Sequence, residues 1–593
     1  MIQRLTPHIR AALLFCSLWA MAGLTLAEAP KRIFIANVIT MADENLYSEA
    51  VAVRNGRITA VGSQHEILQL ADESTEVRDL GNLALLPGFI DTHGHFFGAG
   101  LTELLYADLK PPPMGTVTTM DALISQLRKQ AVGHSESLMI RGIGYDDTLL
   151  DEMRHPNRRD LDRVSTGRPV VITHISGHLT VGNTKALEIA GVDAHTPDPD
   201  GGRIGRDPVS GEPTGIMEGT ARHILNRIVP DPTPEESLAA LRRASERWVA
   251  AGFTTATDNV TSAASIDSLY KRGVDSGDLF VRLEIWPRTN SLDEASQFPT
   301  VVSGTDLTEG HHMITLGPIK LQIDGSPQGY SAHFTQPYMT QRPEDDGTYR
   351  GFSYWDDMLA FRGIVAALHR EGWQITIHAN GDHGIQNALN SIAAAQRAYP
   401  REDTRHTIQH CQFARPDQLV QMTELDVSAS FFIGHTFYWG DRHKQVFFGP
   451  SRADHMSPLR SAIDLGIRST LHTDSPVTPI DGIQMIWSAV NRVSTGGDVI
   501  GPEQRITALE AVRGITSEAA WQYHHEDLKG TIEPGKLADF VVLSDDPMSV
   551  AHADPMQIKT IRVLETIIGG ETVFSGDTES VVSRHFRTLT GSR

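Results

Sequence analysis

Two histidines one residue apart, His93 and His95, close the apolar run Pro87-Gly88-Phe89-Ile90-Asp91-Thr92-His93-Gly94-His95. Side chains alternate between faces along a strand, so Asp91, His93 and His95 are expected on one side and Ile90 and Thr92 on the other. Two imidazoles aimed at one point make half of a zinc-type site, because catalytic zinc takes about three protein ligands and keeps one position open for water. Alone, the pair is better read as two ordinary strand histidines. The chemistry depends on whether the chain supplies further ligands.

Candidates follow downstream. Ile319-Lys320-Leu321-Gln322-Ile323-Asp324 alternates, with the apolar residues on one face and Lys320, Gln322 and Asp324 on the other. With the apolar face packed on helices, the lysine points inward, and a buried ammonium is costly unless its charge is paired or removed. Either Lys320 pairs with an acid such as Asp324, or its amine has taken up carbon dioxide as a carbamate whose two oxygens can bridge two cations. The same alternation puts His378 at the end of Gln374-Ile375-Thr376-Ile377-His378, His410 at the end of His406-Thr407-Ile408-Gln409-His410, and Asp474 at the end of Thr470-Leu471-His472-Thr473-Asp474. Any one of these is more readily structural. Together, in order and at strand ends, they favour a metal centre.

The elements that must position them form an alternating series. Strand candidates lie at 86–93, 253–258, 281–286, 319–324, 374–378, 406–410, 427–431 and 469–474, separated by helical patterns such as 358–371, 382–398 and 507–524. Eight parallel strands predict an α/β fold, a (β/α)8 or TIM barrel whose active site sits at the C-terminal strand ends. The interval from about 100 to 250 is too long for one connection and holds its own strand candidates, 139–145 and 169–176, plus a Gly/Pro-rich hairpin pattern at 201–208. It reads as an insertion after the first barrel strand that shapes the substrate pocket. At the N-terminal end, short strands surround the turn pair Asn55-Gly56, and 538–543 and 561–573 are again strand-like. Neither end can bury its faces alone, so the two are expected to combine into one small β-sandwich domain. The division is then 30–86 for its first half, 87–525 for the barrel and 526–593 for its second half.

Residues 1–29 differ from the rest. Arg4 and Arg10 precede the apolar run Ala11 to Leu26, with small residues at Ala27 and Ala29, the pattern of a secretory signal peptide. About 16 apolar residues are short for a bilayer span, so a periplasmic or secreted protein without a membrane anchor is expected. Cleavage after Ala27 removes two arginines and no acid, taking the formal net charge from −21 to −23. That surface repels nucleic acid and anionic membranes and fits a small-molecule substrate. Cys411 remains as the one cysteine of the exported chain, so no internal disulfide forms. A homodimer is left open.

The order His93, His95, Lys320, His378, His410, Asp474 resembles that of the amidohydrolase superfamily, in the branch of N-substituted formamide deformylase and the YtcJ-like hydrolases. The likeness extends through Leu86 to His95, His174-Ile175-Ser176-Gly177-His178, Lys320 to Tyr338, Asp474-Ser475-Pro476 and Lys529 to Asp539. It implies a deformed barrel in which His93, His95 and Asp474 bind the more buried metal, His378 and His410 bind the second, and Lys320 bridges them as N6-carboxylysine. The ions are expected to be two divalent metals, with zinc the default for this ligand set. The expected reaction is hydrolysis of a non-peptide amide C–N bond, N-formyl or N-acyl, by a metal-bridging hydroxide. Asp474 would shuttle the proton, and His174 or His178 would stabilise the oxyanion or orient the substrate. His472 departs from the small residue usual at its position and is expected to crowd the metal or touch the substrate. A cyclic amidase or a mononuclear deaminase of the same superfamily is the alternative enzyme. A periplasmic binding or regulatory protein without turnover is the alternative of another class.

Overall fold

The structure is a computed structural model that describes residues 29–134, 138–340 and 347–576. The expected signal peptide, apart from Ala29, and residues 577–593 of the C-terminal segment lie outside the described residues.

One sheet draws strands from both ends of the chain. Its order is Glu571–Ser575, Val563–Ile568, Phe540–Leu543, Glu76–Pro87, Arg32–Ile39, Tyr47–Arg54, Arg57–Gly62. The C-terminal strands attach through an antiparallel ladder that runs from Phe540 opposite Pro87 to Leu543 opposite Ala84. Asn55 and Gly56 turn the hairpin at φ +50 and +73, the doubly positive pair that a two-residue turn of this hand requires. The expected sandwich is instead one continuous sheet. Phe34, Val51, Ile58, Leu85, Phe540 and Ile567, each from a different strand, share a single buried cluster. The register shift between Ile35 and Asn37 lets the sheet bend around it.

Two parallel sheets carry the candidate site. The first runs Ile314–Leu316, Arg282–Pro287, Phe253–Val260, Phe89–Ile90, and the second Ile319–Gln322, Ile375–Ala379, Thr407–His410, Ser428–Phe431, Ser469–Leu471. They meet along both edges: Arg288 pairs with Lys320 in a parallel bridge, and beyond the other pair of strand ends the Asp474 amide donates to the His93 carbonyl at 3.0 Å and the His95 amide to the Ser475 carbonyl at 2.8 Å. Each predicted strand has a counterpart, but the first shrinks to Phe89–Ile90 and the last ends at Leu471. His93, His95 and Asp474 therefore stand beyond the strand ends, where alternation no longer governs direction. Asp91 accordingly turns away from the two histidines, its Oδ2 accepting from Trp248 Nε1 at 3.3 Å and Thr473 Oγ1 at 3.2 Å. Ile314–Leu316 is an extra strand, too short before Gly317-Pro318 to register as a pattern.

Helices cover the outer faces because their apolar residues recur at helical spacing. Met358–Arg370 begins where the Asp357 carboxylate accepts from the Leu359 amide, and it buries Phe361, Val365 and Leu368. Asp382–Ala398 buries Ile385, Ala388, Leu389, Ile392 and Ala395 against it. Each large aliphatic chain so buried contributes roughly 1.5–3 kcal/mol. The helix expected over 507–524 is broken into Ala508–Gly514 and Ser517–Gln522. The cause is the Ile515 carbonyl, which leaves the helical ladder to accept from the Ile90 amide at 2.8 Å and so ties this segment to the first parallel strand.

The interval after the first parallel strand holds a six-stranded sheet, ordered Gly202–Arg206, Pro213–Gly219, Leu179–Gly182, Val170–His174, Ile140–Tyr145, Ala107–Asp108. It has its own core, including Leu123, Leu127, Ile140 and Ile172. This rigid platform carries His174, His178 and Arg222 to the mouth of the parallel strands.

Candidate metal centre

His93 and His95 follow Phe89–Ile90, and Asp474 follows Ser469–Leu471, so the first and last parallel strands bring them together. Asp474 Oδ1 lies 3.3 Å from both His93 Nε2 and His95 Nε2. Across the mouth, the rings of His378 and His410 stand 4.3 Å apart, and His410 lies 5.4 Å from His93. Lys320 Nζ reaches 3.3 Å from His93 Nε2, so all six expected ligands gather at one place. His410 and Asp474 hold φ at +71 and +56, a left-handed backbone that costs a non-glycine residue about 1–3 kcal/mol and is retained mainly where a side chain must be aimed.

The donor chemistry fits divalent cations. Asp474 Oδ1 and His410 Nε2 are buried without a hydrogen-bond partner among the described residues, an unfavourable state that a cation would relieve. His93, His95 and Asp474 present one ligand atom each within 4.8 Å of one another. Burial holds His93, His378 and His410 well below the usual imidazole range, Lys320 adding to the effect at His93 and His378, and His378 at His410. These rings stay neutral, the form that ligates. His378 Nε2 faces the Gly325 carbonyl at 3.1 Å, which accepts its proton and leaves the lone pair on Nδ1. His410 is turned the other way, with Nδ1 3.1 Å from His472 Nε2 and Nε2 free. Burial lowers the Lys320 ammonium to about 7, Asp474 resisting and Arg288 assisting. Its near charge is that of Asp474 rather than the anticipated Asp324, which instead accepts from the amides of His333, Asn380 and Gly381.

Three further residues behave differently from the sequence expectation. His472 neither crowds the ligands nor enters the cavity. Its Nδ1 meets Ser430 Oγ at 3.0 Å and Gln409 Nε2 at 3.1 Å, and it stands behind His410. His174 has both nitrogens engaged, by Ser176 Oγ at 2.8 Å and Asp147 Oδ1 at 3.1 Å, so it has no free donor for an oxyanion. His178 does. Its Nδ1 faces the Tyr354 hydroxyl at 2.8 Å, Arg222 Nη1 at 3.1 Å and Gln322 Nε2 at 3.4 Å; the guanidinium and amide nitrogens can only donate, so Nδ1 accepts and the ring proton sits on Nε2. Burial, then Arg222, keeps this ring neutral.

A cavity of about 330 Å³ opens over the centre, lined among others by His178, Arg222, Arg288, Gln322 and Pro476. Sequence reasoning missed both arginines. Arg288 had a signal in standing directly after the 281–286 strand, while Arg222 lies in the short helix Arg222–Asn226 with none. The aromatic stretch 431–439 packs behind the site, Phe432 and Trp439 being buried against Ile175.

Parallel strands ending in a cluster of imidazoles, a carboxylate and a lysine make an α/β fold whose mouth offers ligands for divalent cations. The chain belongs to the amidohydrolase family, whose model matches residues 76–574. Among its relatives is N-substituted formamide deformylase of Arthrobacter pascens, 26% identical over 553 residues that cover 90% of this chain and 96% of that protein. Putative amidohydrolase YtcJ of Bacillus subtilis (strain 168) is also 26% identical, over 550 residues covering 91% and 98%. An uncharacterized metal-dependent hydrolase from Pyrococcus horikoshii OT3 superposes with a TM-score of 0.68 over 88% of this chain and 99% of that one, at 22% identity.

Proposed function

We propose that this protein hydrolyses a non-peptide amide-type C–N bond, N-formyl or N-acyl, in a small molecule. The observation that carries the reading is a carboxylate oxygen, Asp474 Oδ1, buried without a hydrogen-bond partner among the described residues and 3.3 Å from two imidazoles. We read the two parallel sheets as halves of one distorted (β/α)8 barrel, joined at Arg288–Lys320 and Asp474–His93, with the both-ends sheet as a separate small domain. His93, His95 and Asp474 would hold one cation, His378 and His410 a second, with zinc the default.

Bound cations would acidify water and polarise a carbonyl. The chain's own residues do the rest. Lys320, uncharged in part near pH 7, is the amine that carbon dioxide would convert to a carbamate, its proton passing to solvent water, and that group would supply oxygen ligands beside His93, His95, His378 and His410. Asp474 takes the proton of the attacking water and returns it to the departing amine. His178 donates Nε2–H to the oxygen of the scissile carbonyl as negative charge develops there. The name of the Arthrobacter relative supports amide hydrolysis without supplying the substrate. Export to the periplasm or medium belongs to the same proposal.

Metal analysis of the purified protein, joined to a hydrolysis screen of formyl, acyl and cyclic amides, tests this. Two metals per chain with turnover of linear amides are expected, and fully loaded protein inert across the panel would overturn the reading. A one-metal variant is favoured by the self-contained His93/His95/Asp474 set. One metal per chain and no carbamate mass on Lys320 would establish it.

A further inference from the structure

The cavity over the centre holds two guanidinium groups without an acid. Arg222 is 8% exposed and donates to His178 Nδ1 at 3.1 Å. Arg288, half-buried, donates to Gln322 Oε1 at 3.2 Å. Both partners are neutral, and Gln322 and His178 themselves meet at 3.4 Å. The two arginines thus belong to one hydrogen-bonded wall. Among the described residues no carboxylate lies within 4.0 Å of either, although many other arginines of the chain are so paired. Asp474, already committed to the imidazoles, is the only acid among the described residues that line the cavity. Arg288 also feels its neighbour's charge: burial, with Arg222 assisting, pushes it down to about 10.

Like charges brought together under partial burial are unfavourable unless something of opposite sign completes the site. The setting sharpens the point, because a chain of formal net charge −21 repels anions in general and would admit one only at a local positive patch. Guanidinium groups match planar and tetrahedral oxyanions by paired N–H donors, which a neutral amide substrate does not need.

We infer that the substrate is an N-acylated amine bearing an oxyanion, seated on Arg222 and Arg288 while its amide bond faces the metal centre. This rests on the hydrolase reading for the bond that is cleaved, but not for the anion that is bound. A cavity of about 330 Å³ suits a molecule the size of an N-acyl amino acid.

The test uses the full, metal-loaded protein and three isosteric probes: N-benzoylglycine, its phosphonate counterpart N-benzoylaminomethylphosphonate, and the neutral N-benzoylglycinamide. Calorimetry is expected to show at least one anion bound about 10- to 100-fold more tightly than the amide, with affinity falling as salt rises. Whichever anion binds better separates a carboxylate from a phosphonate source. Arg288→Met should erase most of the preference through KM with kcat little changed, and Arg288→Lys should restore part of it; Arg222→Met should erase the preference too, with kcat falling as well because His178 loses the donor that fixes its proton on Nε2. Equal binding of all three probes overturns the inference, as does a preference that survives in both Met variants. The salt dependence of the unaltered protein decides the matter if the variants do not fold. Neutral amides cleaved without anion preference would remove the inference and leave the hydrolase. Anion binding with no turnover would do the reverse.

Discussion

Two groups of histidine and carboxylate in this molecule draw on the same two residue types, two histidines with one aspartate in one and two aspartates with one histidine in the other. His93, His95 and Asp474 cluster at the mouth of the parallel strands, and Asp146, Asp147 and His174 cluster in the inserted sheet, each with ligand atoms within 4.8 Å. Their hydrogen bonding separates them. In the inserted group, Asp146 is held by Arg442 Nη1 at 2.5 Å and Trp439 Nε1 at 3.3 Å. Asp147 lies between His174 at 3.1 Å and His155 at 3.6 Å, and the other nitrogen of His174 goes to Ser176. At the mouth, Asp474 Oδ1 and His410 Nε2 have no hydrogen-bond partner among the described residues. Residue types at ligand spacing therefore do not define a metal site. Lone pairs that the protein leaves unused do, and the inserted group is a saturated brace for the substrate wall.

The contrast fails if both clusters answer alike to mutation. Asp474→Asn should lower kcat by about 10³-fold or more, from loss of the proton carrier and of a ligand. Steady-state kinetics with metal analysis reads both, and unchanged turnover with metal retained would remove Asp474 from the chemistry. Arg442→Met strips the brace of its cation and leaves Asp146 buried and unpaired, which should cost about 3–5 kcal/mol of stability. Denaturant unfolding should record that loss while metal content stays at the wild-type value. Metal lost in step with stability would instead give the inserted cluster a ligand. His472→Ser is expected to weaken metal binding by about 10- to 100-fold, because the ring behind His410 fixes which of its nitrogens is free. Competition with a chromogenic chelator measures it, and undiminished affinity would reduce His472 to packing.

Sequence reached the parts of this centre that sit on regular strands. Lys320, Gln322 and His378 lie in or beside ladders, Lys320 opposite Thr376 and Gln322 opposite His378, so alternation could aim them. Alternation also singled out His93, His95 and Asp474, but it does not aim them, since they stand past the strand ends in segments held by a few backbone bonds such as Asp474 N to His93 O. The difference between His174 and His178 was not legible. It is set by Asp147, 27 residues away, and by Arg222, 44 residues away, and no periodicity links positions across separate elements. The same holds for the helix broken at Ile515, whose carbonyl is drawn off by Ile90. Strand number and direction are local properties, whereas which lone pair stays free is decided by long-range neighbours.

Lys320 offers the smallest effect and the most specific check that the mouth is the open cluster. In the metal-free fold its ammonium titrates near 7, against 10.5 in the unfolded chain, because burial disfavours the charged form. Between those values the unfolded chain binds more protons than the fold, so stability of the metal-free protein should rise with pH across this window, on the order of 1.4 kcal/mol per unit, and this group should contribute no slope below it. Carbamate formation follows the same titration, since only the neutral amine adds to carbon dioxide. At fixed dissolved carbon dioxide the rate of metal-dependent reactivation should climb about tenfold per unit below pH 7 and level off above it. Lys320→Met removes the ammonium while keeping the stem, so both slopes should vanish. If the stability slope persists in that variant, the titrating group lies elsewhere, and the lysine is not what makes this mouth receptive to cations.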